Sequence, residues 1–322
     1  MRLLEARLIL KSPAVVVQRR LERGFVKPAD YVPGSMLRGA ILTALYRSGK
    51  LSAADLEREK EKPGLLASPA YPVVKGSRSV PATPFMFYCR RCKAVVDLTR
   101  EAAERLSQGE EPEPPLLHEC REALKPIHGS LVARDGRELR RARVETFRST
   151  SVAIGKDRGS AVRGMLFDYE AIAGGTEFWA RILAPDWLQP GSLEVAVGRG
   201  ASRGFGWAVL RLEPVPQSQP RGKVLVAISP LTPLKRLKWD ECSVSLTGVY
   251  GRMHKLQAGW EYGRGFRPFV DVARRGSLVI ASELSGRPEL LQVGLPVKAG
   301  DFWLTGLNAL FPLDEYLEIL GG

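Results

Sequence analysis

The sequence predicts an α+β chain made of two related halves, and three observations carry that reading. Residues 2–11 alternate apolar and polar side chains, with Leu4, Ala6, Leu8 and Leu10 on one side, and the run stops at Ser12-Pro13. Such alternation marks a half-buried strand. Beyond Pro33-Gly34, Leu37, Ile41, Ala44 and Leu45 recur at helical spacing to about Arg47. After a proline-rich, polar break at Pro214–Gly222, a second strand-like run, Lys223–Ile228, again stops at a Ser-Pro step, Ser229-Pro230. Strands with helices between them at these separations favour α+β over all-α or all-β. A ferredoxin-like βαββαβ unit in each half is the simplest arrangement.

The elements follow in order. A polar connector with Arg19, Arg20, Arg23 and Lys27 joins the first strand to the first helix, where Pro33-Gly34 makes a turn and Ser35 is the expected N-cap. A charged helix is expected over Ala53–Lys62, and proline-rich chain then leads to Phe85–Tyr88 and a cysteine pair. Residues 108–116 read as a loop. Residues 129–164 carry nine Lys/Arg against four Asp/Glu and read as a long basic arm or hairpin. Phe167–Ile172 reads as a short helix or turn, Thr176–Ala184 as a strand, and Leu193–Val197 as an edge segment. In the second half, Leu278–Ala281 is an expected strand and Leu313–Leu320 the last helix. The expected division is a first domain over 1–215, with a metal-knuckle insertion at about 80–128 and the basic arm at about 129–164. A second, degenerate domain covers 220–322.

The formal net charge of +13 points to an anionic partner, nucleic acid before membrane. A membrane surface would call for a Lys-rich amphipathic helix or a lipid anchor, and neither is found. The N-terminal residues, with charges inside their apolar run, are not expected to be a signal peptide, and no apolar run approaches the roughly 18 residues of a spanning helix. A cytoplasmic protein without membrane contact is the expectation. Asn308 is the only asparagine, a depletion that fits a thermophile.

Cys89-Arg90-Arg91-Cys92 is a C-x-x-C pair, and His118-Glu119-Cys120 offers two further ligands. Three thiolates and one imidazole match a closed, tetrahedral, structural zinc site. A thioredoxin-type site would need a helix starting at the first cysteine, and Pro84–Tyr88 does not supply one. Cys242 has no partner in sequence and reads as a buried thiol.

The segment Val197–Leu212 holds four glycines and two arginines within nine residues, just before a strand pattern at Trp207–Leu212. Glycine lets the backbone approach a ligand closely, and the guanidinium fork suits phosphate. A second Gly/Arg cluster, Tyr262–Pro268, follows in the other half. No Walker loop, Rossmann fingerprint, G-x-S-x-G or H-E-x-x-H pattern is present, so the sequence does not argue for an enzyme. The weak catalytic candidates are Asp30, as a metal-binding carboxylate, and His128 or His254, as acid–base groups on an RNA hydroxyl.

The Tyr31-Val32-Pro33-Gly34-Ser35 turn, the Leu37-Arg38-Gly39-Ala40 helix start and the Gly198–Gly206 loop together resemble the RAMP superfamily of CRISPR effector proteins. Asp30-Tyr31 before the turn, Phe87-Tyr88-Cys89 at the knuckle, Gly164–Phe167, Gly175-Thr176-Glu177-Phe178 and Gly259-Trp260 look most like the Csx-type cap subunit of type III-D complexes. The chain is short for that group, and its second half lacks a full glycine-rich loop. The resemblance implies a non-catalytic subunit that binds the 5′ tag of the crRNA at one end of a complex with other CRISPR effector subunits. It implies RNA contacts at Arg19, Arg20, Ser35, Arg38, Phe147, Arg148, Lys156, Arg158, Gly198, Arg199, Gly200, Ser202, Arg203 and Gly204. The arm around Phe147–Arg163 would act as a thumb, since single-stranded RNA is held by positive charge and stacking side chains. Alternatives are a repeating backbone subunit with a cleaving carboxylate at Asp30, a crRNA-processing endoribonuclease using His128 or His254, and a zinc-stabilised scaffold without RNA.

Overall fold

Apolar alternation makes strand Arg2–Leu10 the spine of a first sheet in a computed structural model of the protein. The described residues are all but 21–25, 114, 155, 156, 158, 216–221, 262 and 322, together with the side chains of 18–20, 26, 27, 149, 151, 153 and 161–169. The spine lies antiparallel between Glu177–Ala184 and Trp207–Pro214, with Leu8 opposite both Phe178 and Leu210. Tyr71–Val74 pairs outside Glu177–Ala184, and Gly191–Ala196 borders Trp207–Pro214 at the other edge. Helices α1 (Gly34–Arg47) and α2 (Ala53–Glu61) form the crossover from the first strand to the second. Leu37, Ile41 and Leu45 of α1 seal one sheet face against Leu4, Leu8, Phe178 and Ile182. Taken in chain order, the four main strands stand fourth, first, third, second across the sheet. Between the third and fourth, where a second crossover helix would pack, the described chain forms the edge strand Gly191–Ala196 instead.

Between the second and third strands the chain makes a long excursion. It begins with a small sheet of Leu124–Pro126, Met86–Cys89 and Val95–Asp97, beside helix α3 (Thr99–Ser107). A hairpin, Leu131–Asp135 with Glu138–Arg141, follows. A long antiparallel arm comes last, Thr146–Ile154 with Ala161–Ile172. The basic stretch 129–164 thus divides into a packed hairpin, with Leu131 and Val132 fully buried, and the arm proper. Phe167–Ile172, read from sequence as a helix or turn, is the second half of the 12-residue arm strand. Its partner decides this: Phe167 to Ile172 pair one by one with Ser151 back to Thr146, a long-range ladder that local pattern does not reveal.

The second half repeats the strand order. Val224–Ala227, Cys242–Tyr250, Leu278–Ser285 and Leu310–Pro312 again stand fourth, first, third, second, all antiparallel, with Arg236–Trp239 at the edge. Here a short helix, α4 (Glu289–Val293), joins the third strand to the fourth, and α5 (Leu313–Ile319) ends the chain. Between the first and second strands the edge strand Arg236–Trp239 stands in place of a helix.

The Ser-Pro steps do the same work in both halves. Ser12 Oγ accepts from Trp207 N–H at 3.0 Å, and Pro13 carbonyl from Gly206 N–H at 2.8 Å. Ser229 Oγ accepts from Ala309 N–H at 2.8 Å, and Pro230 carbonyl from Asn308 N–H at 2.9 Å. Gly206 and Asn308 both hold positive φ, 78° and 62°. The bridge of Ala14 to Ile172, at the root of the arm, matches the bridge of Leu231 to Ala273. Ala273 ends a second hairpin, Met253–Gln257 with Phe269–Ala273, in the same place between second and third strands.

One core spans all parts. Tyr71 and Trp179 lie opposite each other on the sheet face away from α1, among Val226, Phe311 and Tyr316 of the second half and Met86, Leu131 and Val132 of the insertion. Trp179 meets Phe311 edge to face at 6.1 Å, and Tyr71 hydroxyl donates to the Ile228 carbonyl. No helix among the described residues is long and apolar enough to cross a membrane.

Candidate metal centre and nucleic-acid interface

Two tight turns bring four ligand atoms together. Each turn closes at a residue of positive φ just after its second ligand: Lys93 at 61° and Arg121 at 65°. Lys93 N–H donates to the Cys89 carbonyl at 3.0 Å and Arg121 N–H to the His118 carbonyl at 2.8 Å. Pairing of Leu124 with Cys89 fixes the turns side by side. Cys89 Sγ and Cys120 Sγ lie 3.5 Å apart, His118 Nδ1 and Cys120 Sγ 3.2 Å, and Cys92 Sγ and His118 Nδ1 3.7 Å. All four ligand atoms of Cys89, Cys92, His118 and Cys120 fall within 4.8 Å of one another. Tetrahedral ligands about 2.3 Å from a metal are about 3.8 Å apart, so the cluster can hold one ion. The hydrogen bond between Cys92 and Cys120 lowers the Cys120 thiol to about 6 and raises that of Cys92 to about 11, so the two sulfurs share one proton between them. Cys242 sits apart in the core, and burial pushes its thiol up to about 12.

The glycine loop is tied to the exit of the spine strand. Arg199 N–H donates to the Val15 carbonyl at 3.0 Å and Val197 N–H to the Gly206 carbonyl at 2.9 Å. Gly198, Gly200, Gly204 and Gly206 all have φ near +80°. A Cβ at Gly198 would lie 2.5 Å from the Val15 carbonyl oxygen, and one at Gly206 2.0 Å from that of Val197. The tip between them, a 3-10 turn at Ala201–Arg203, leaves Ser202, Arg203 and Gly204 exposed, and Arg199 is exposed beside it.

The arm stands next to this loop. Ala171, at its root, packs with Val15, Val17 and Phe205. The arm sheet continues through Val26–Pro28 to Val17–Arg20, so the strand bearing Arg19 and Arg20 joins the sheet that bears Phe147 and Arg148. Phe147 is 48% exposed and Arg148 is exposed too. The Arg19 and Arg20 side chains and residues Lys156 and Arg158 lie outside the described residues.

Two residues expected to touch RNA lie in settings that the sequence did not show. Arg38 is 8% exposed. It donates to the Leu65 carbonyl at 2.8 Å, the Glu59 carbonyl at 2.8 Å and the Glu59 carboxylate at 2.7 Å, so its donors are turned inward. Ser35 does not cap α1. The helix starts at Gly34 after Pro33, with no side-chain cap bond. Gly306 comes so close that a Cβ there would lie 2.4 Å from Ser35 N, so protein backbone, not open solvent, covers this helix end.

Asp30, read as a metal-binding carboxylate, is held by Arg275, whose Nη2 reaches its two oxygens at 2.8 and 3.0 Å. Arg275 also donates to the Gly129 carbonyl at 3.1 Å and lies 4.2 Å over the Tyr31 ring. Sequence did not single out Arg275. Its only signal is the Arg274-Arg275 pair just after the second hairpin. His128 is 7% exposed, and burial with the charges of Arg274 and Arg252 pulls it down to about 4. His254 is exposed and pairs with Val272 on the second hairpin. The carboxylate of Asp30 is therefore committed to an internal ion pair.

No family model matches the chain, and no curated protein matches it in sequence. Solved structures do match. A chain of Type III-B Cmr-beta bound to cognate target RNA and AMPPnP (state 1) is similar with a TM-score of 0.52 at 12% identity, over 86% of each chain. A chain of Type III-B Cmr-beta bound to cognate target RNA gives 0.51 at 10% identity, again over 86% of each. At such identities the likeness is one of fold.

Proposed function

We propose that the chain is a non-catalytic crRNA-binding subunit of a type III CRISPR interference complex, seated at the 5′ tag of the guide. One observation carries this reading: the exposed Gly/Arg loop packs against the root of the arm that bears Phe147 and Arg148, and the strand of Arg19 and Arg20 belongs to the arm's sheet. The fold likeness to chains of RNA-bound Type III-B Cmr-beta supports it. Arg199, Arg203 and Ser202 would face phosphate oxygens, with the Gly198, Gly200 and Gly204 backbone close by. Phe147 would stack on a base and Arg148, Lys156 and Arg158 would neutralise phosphates. Other effector subunits would flank it, in two ferredoxin-like units whose shared strand order supports that assignment. Zinc would fill the Cys89, Cys92, His118 and Cys120 cluster as a structural ion.

The test is binding of tag-bearing guide RNA across a salt series. Arg199→Ala and Arg203→Ala should each weaken binding and lower the salt slope by about 1. A slope and affinity equal to wild type would overturn the reading. Metal analysis with X-ray absorption should find one zinc per chain in a shell of three sulfurs and one nitrogen, and a metal-free native protein would remove the zinc assignment.

A further inference from the structure

A cleft of about 290 Å³ opens between the insertion and the root of the second hairpin, and no residue of the glycine loop or of the arm strands lines it. Arg90, Lys125, His128, Arg141, Arg252 and Arg274 line it, and no carboxylate does. Among the described residues none of the four arginines and the lysine here forms an ion pair with an acid. Arg274 N–H donates to the Arg252 carbonyl at 2.8 Å, which sets the two arginines side by side across the hairpin root. Arg141 lies 5.3 Å over the ring of Tyr88, another lining residue. His128 is 7% exposed, and its Nε2 has no hydrogen-bond partner among the described residues.

Glycine makes room for this cluster. A Cβ at Gly129 would lie 2.4 Å from Arg274 Nε, and one at Gly251 3.1 Å from His128 Cε1. The matching root in the first half is closed by Ala173 N–H on the Glu145 carbonyl at 2.9 Å, with no paired arginines. The cation cluster is therefore special to this site, not a by-product of the repeated plan. Like charges this close repel, and a shared anion relieves them.

We infer that the cleft binds a phosphate monoester, the terminal phosphate of a nucleotide or of an RNA strand. Guanidinium forks match phosphate oxygens two at a time, and the Lys125 ammonium adds a further donor. The volume sits at the low end of small-molecule pockets, ~300 Å³, which suits one phosphate with its sugar. Binding here does not depend on the loop-and-arm reading.

Titration calorimetry on the full chain tests it, with inorganic phosphate, adenosine monophosphate, and one short RNA bearing a 5′-phosphate or a 5′-hydroxyl. Phosphate should bind saturably, one per chain. Lys125→Ala and Arg252→Ala, both at exposed positions, should each weaken it about tenfold, and Arg199→Ala should not change it. Tighter binding of the mononucleotide than of phosphate would assign a free nucleotide. Preference for the phosphorylated RNA would assign a strand end. Phosphate that fails to saturate, or that binds the Lys125 and Arg252 variants as it binds wild type, overturns the inference. Because the phosphate titration involves no guide RNA, failure of the loop-and-arm reading would leave its outcome unaffected.

Discussion

Arg38 and Arg199 both stand beside glycine in the sequence, yet one faces the core and the other faces solvent. Arg38 is three, four and seven residues before Ile41, Leu42 and Leu45, which places it on the buried side of α1. The sequence reading placed Arg38 against RNA all the same. Its partner was not legible in the sequence, because Glu59 lies 21 residues away on another helix. Glu59 in turn accepts from the amides of Gly64 and Leu65, so the pair holds the chain leaving α2. Arg38→Ala should destabilise the protein by about 3–5 kcal/mol, because it strands a buried carboxylate. Urea denaturation measures that loss. Guide RNA affinity per folded molecule should stay at the wild-type value, whereas a direct RNA contact would make it fall.

At the scale of elements, glycines in a single loop serve different ends. Gly204 sits at the tip with φ 83° and open space around it, while Gly206 has φ 78° and the Val197 carbonyl pressed against it. Gly204→Ala should cost about 1–2 kcal/mol for left-handed backbone alone. Gly206→Ala should cost clearly more, since the strand start must also shift, and thermal denaturation of the two variants ranks them. Equal losses would mean that the close approach carries no energy. The glycine count was plain in the sequence, but not which glycine meets backbone. The metal turns were more legible, because ligand type and short spacing fix local geometry. The arm strand was misread at Phe167–Ile172 because its ladder partner lies some twenty residues away.

For the whole molecule, the repeated Ser-Pro steps were visible as words in the sequence, and their meaning required the strands they hold. Each half keeps one crossover and has an edge strand in place of the other, which no local pattern shows. The halves are linked by Arg275, which spans from the second to Asp30 and Gly129 of the first. Arg275→Leu should cost about 1–3 kcal/mol, because it removes the charged hydrogen bonds of a partly exposed Asp30 and the bond to the Gly129 carbonyl. Tryptophan fluorescence and far-ultraviolet dichroism should then report separate unfolding midpoints where wild type gives one, and coincident midpoints would show that the joint lies elsewhere. Tyr71 and Trp179 have a wider consequence. On an RRM sheet, outward aromatics form a table on which bases lie flat. Here those two rings are at most 1% exposed beneath Phe311 and its neighbours, so that table is roofed over. A nucleobase cannot reach these two rings, so any ligand would have to be met at the rim of the molecule, where loops and hairpins can lengthen or change without disturbing the sheet beneath.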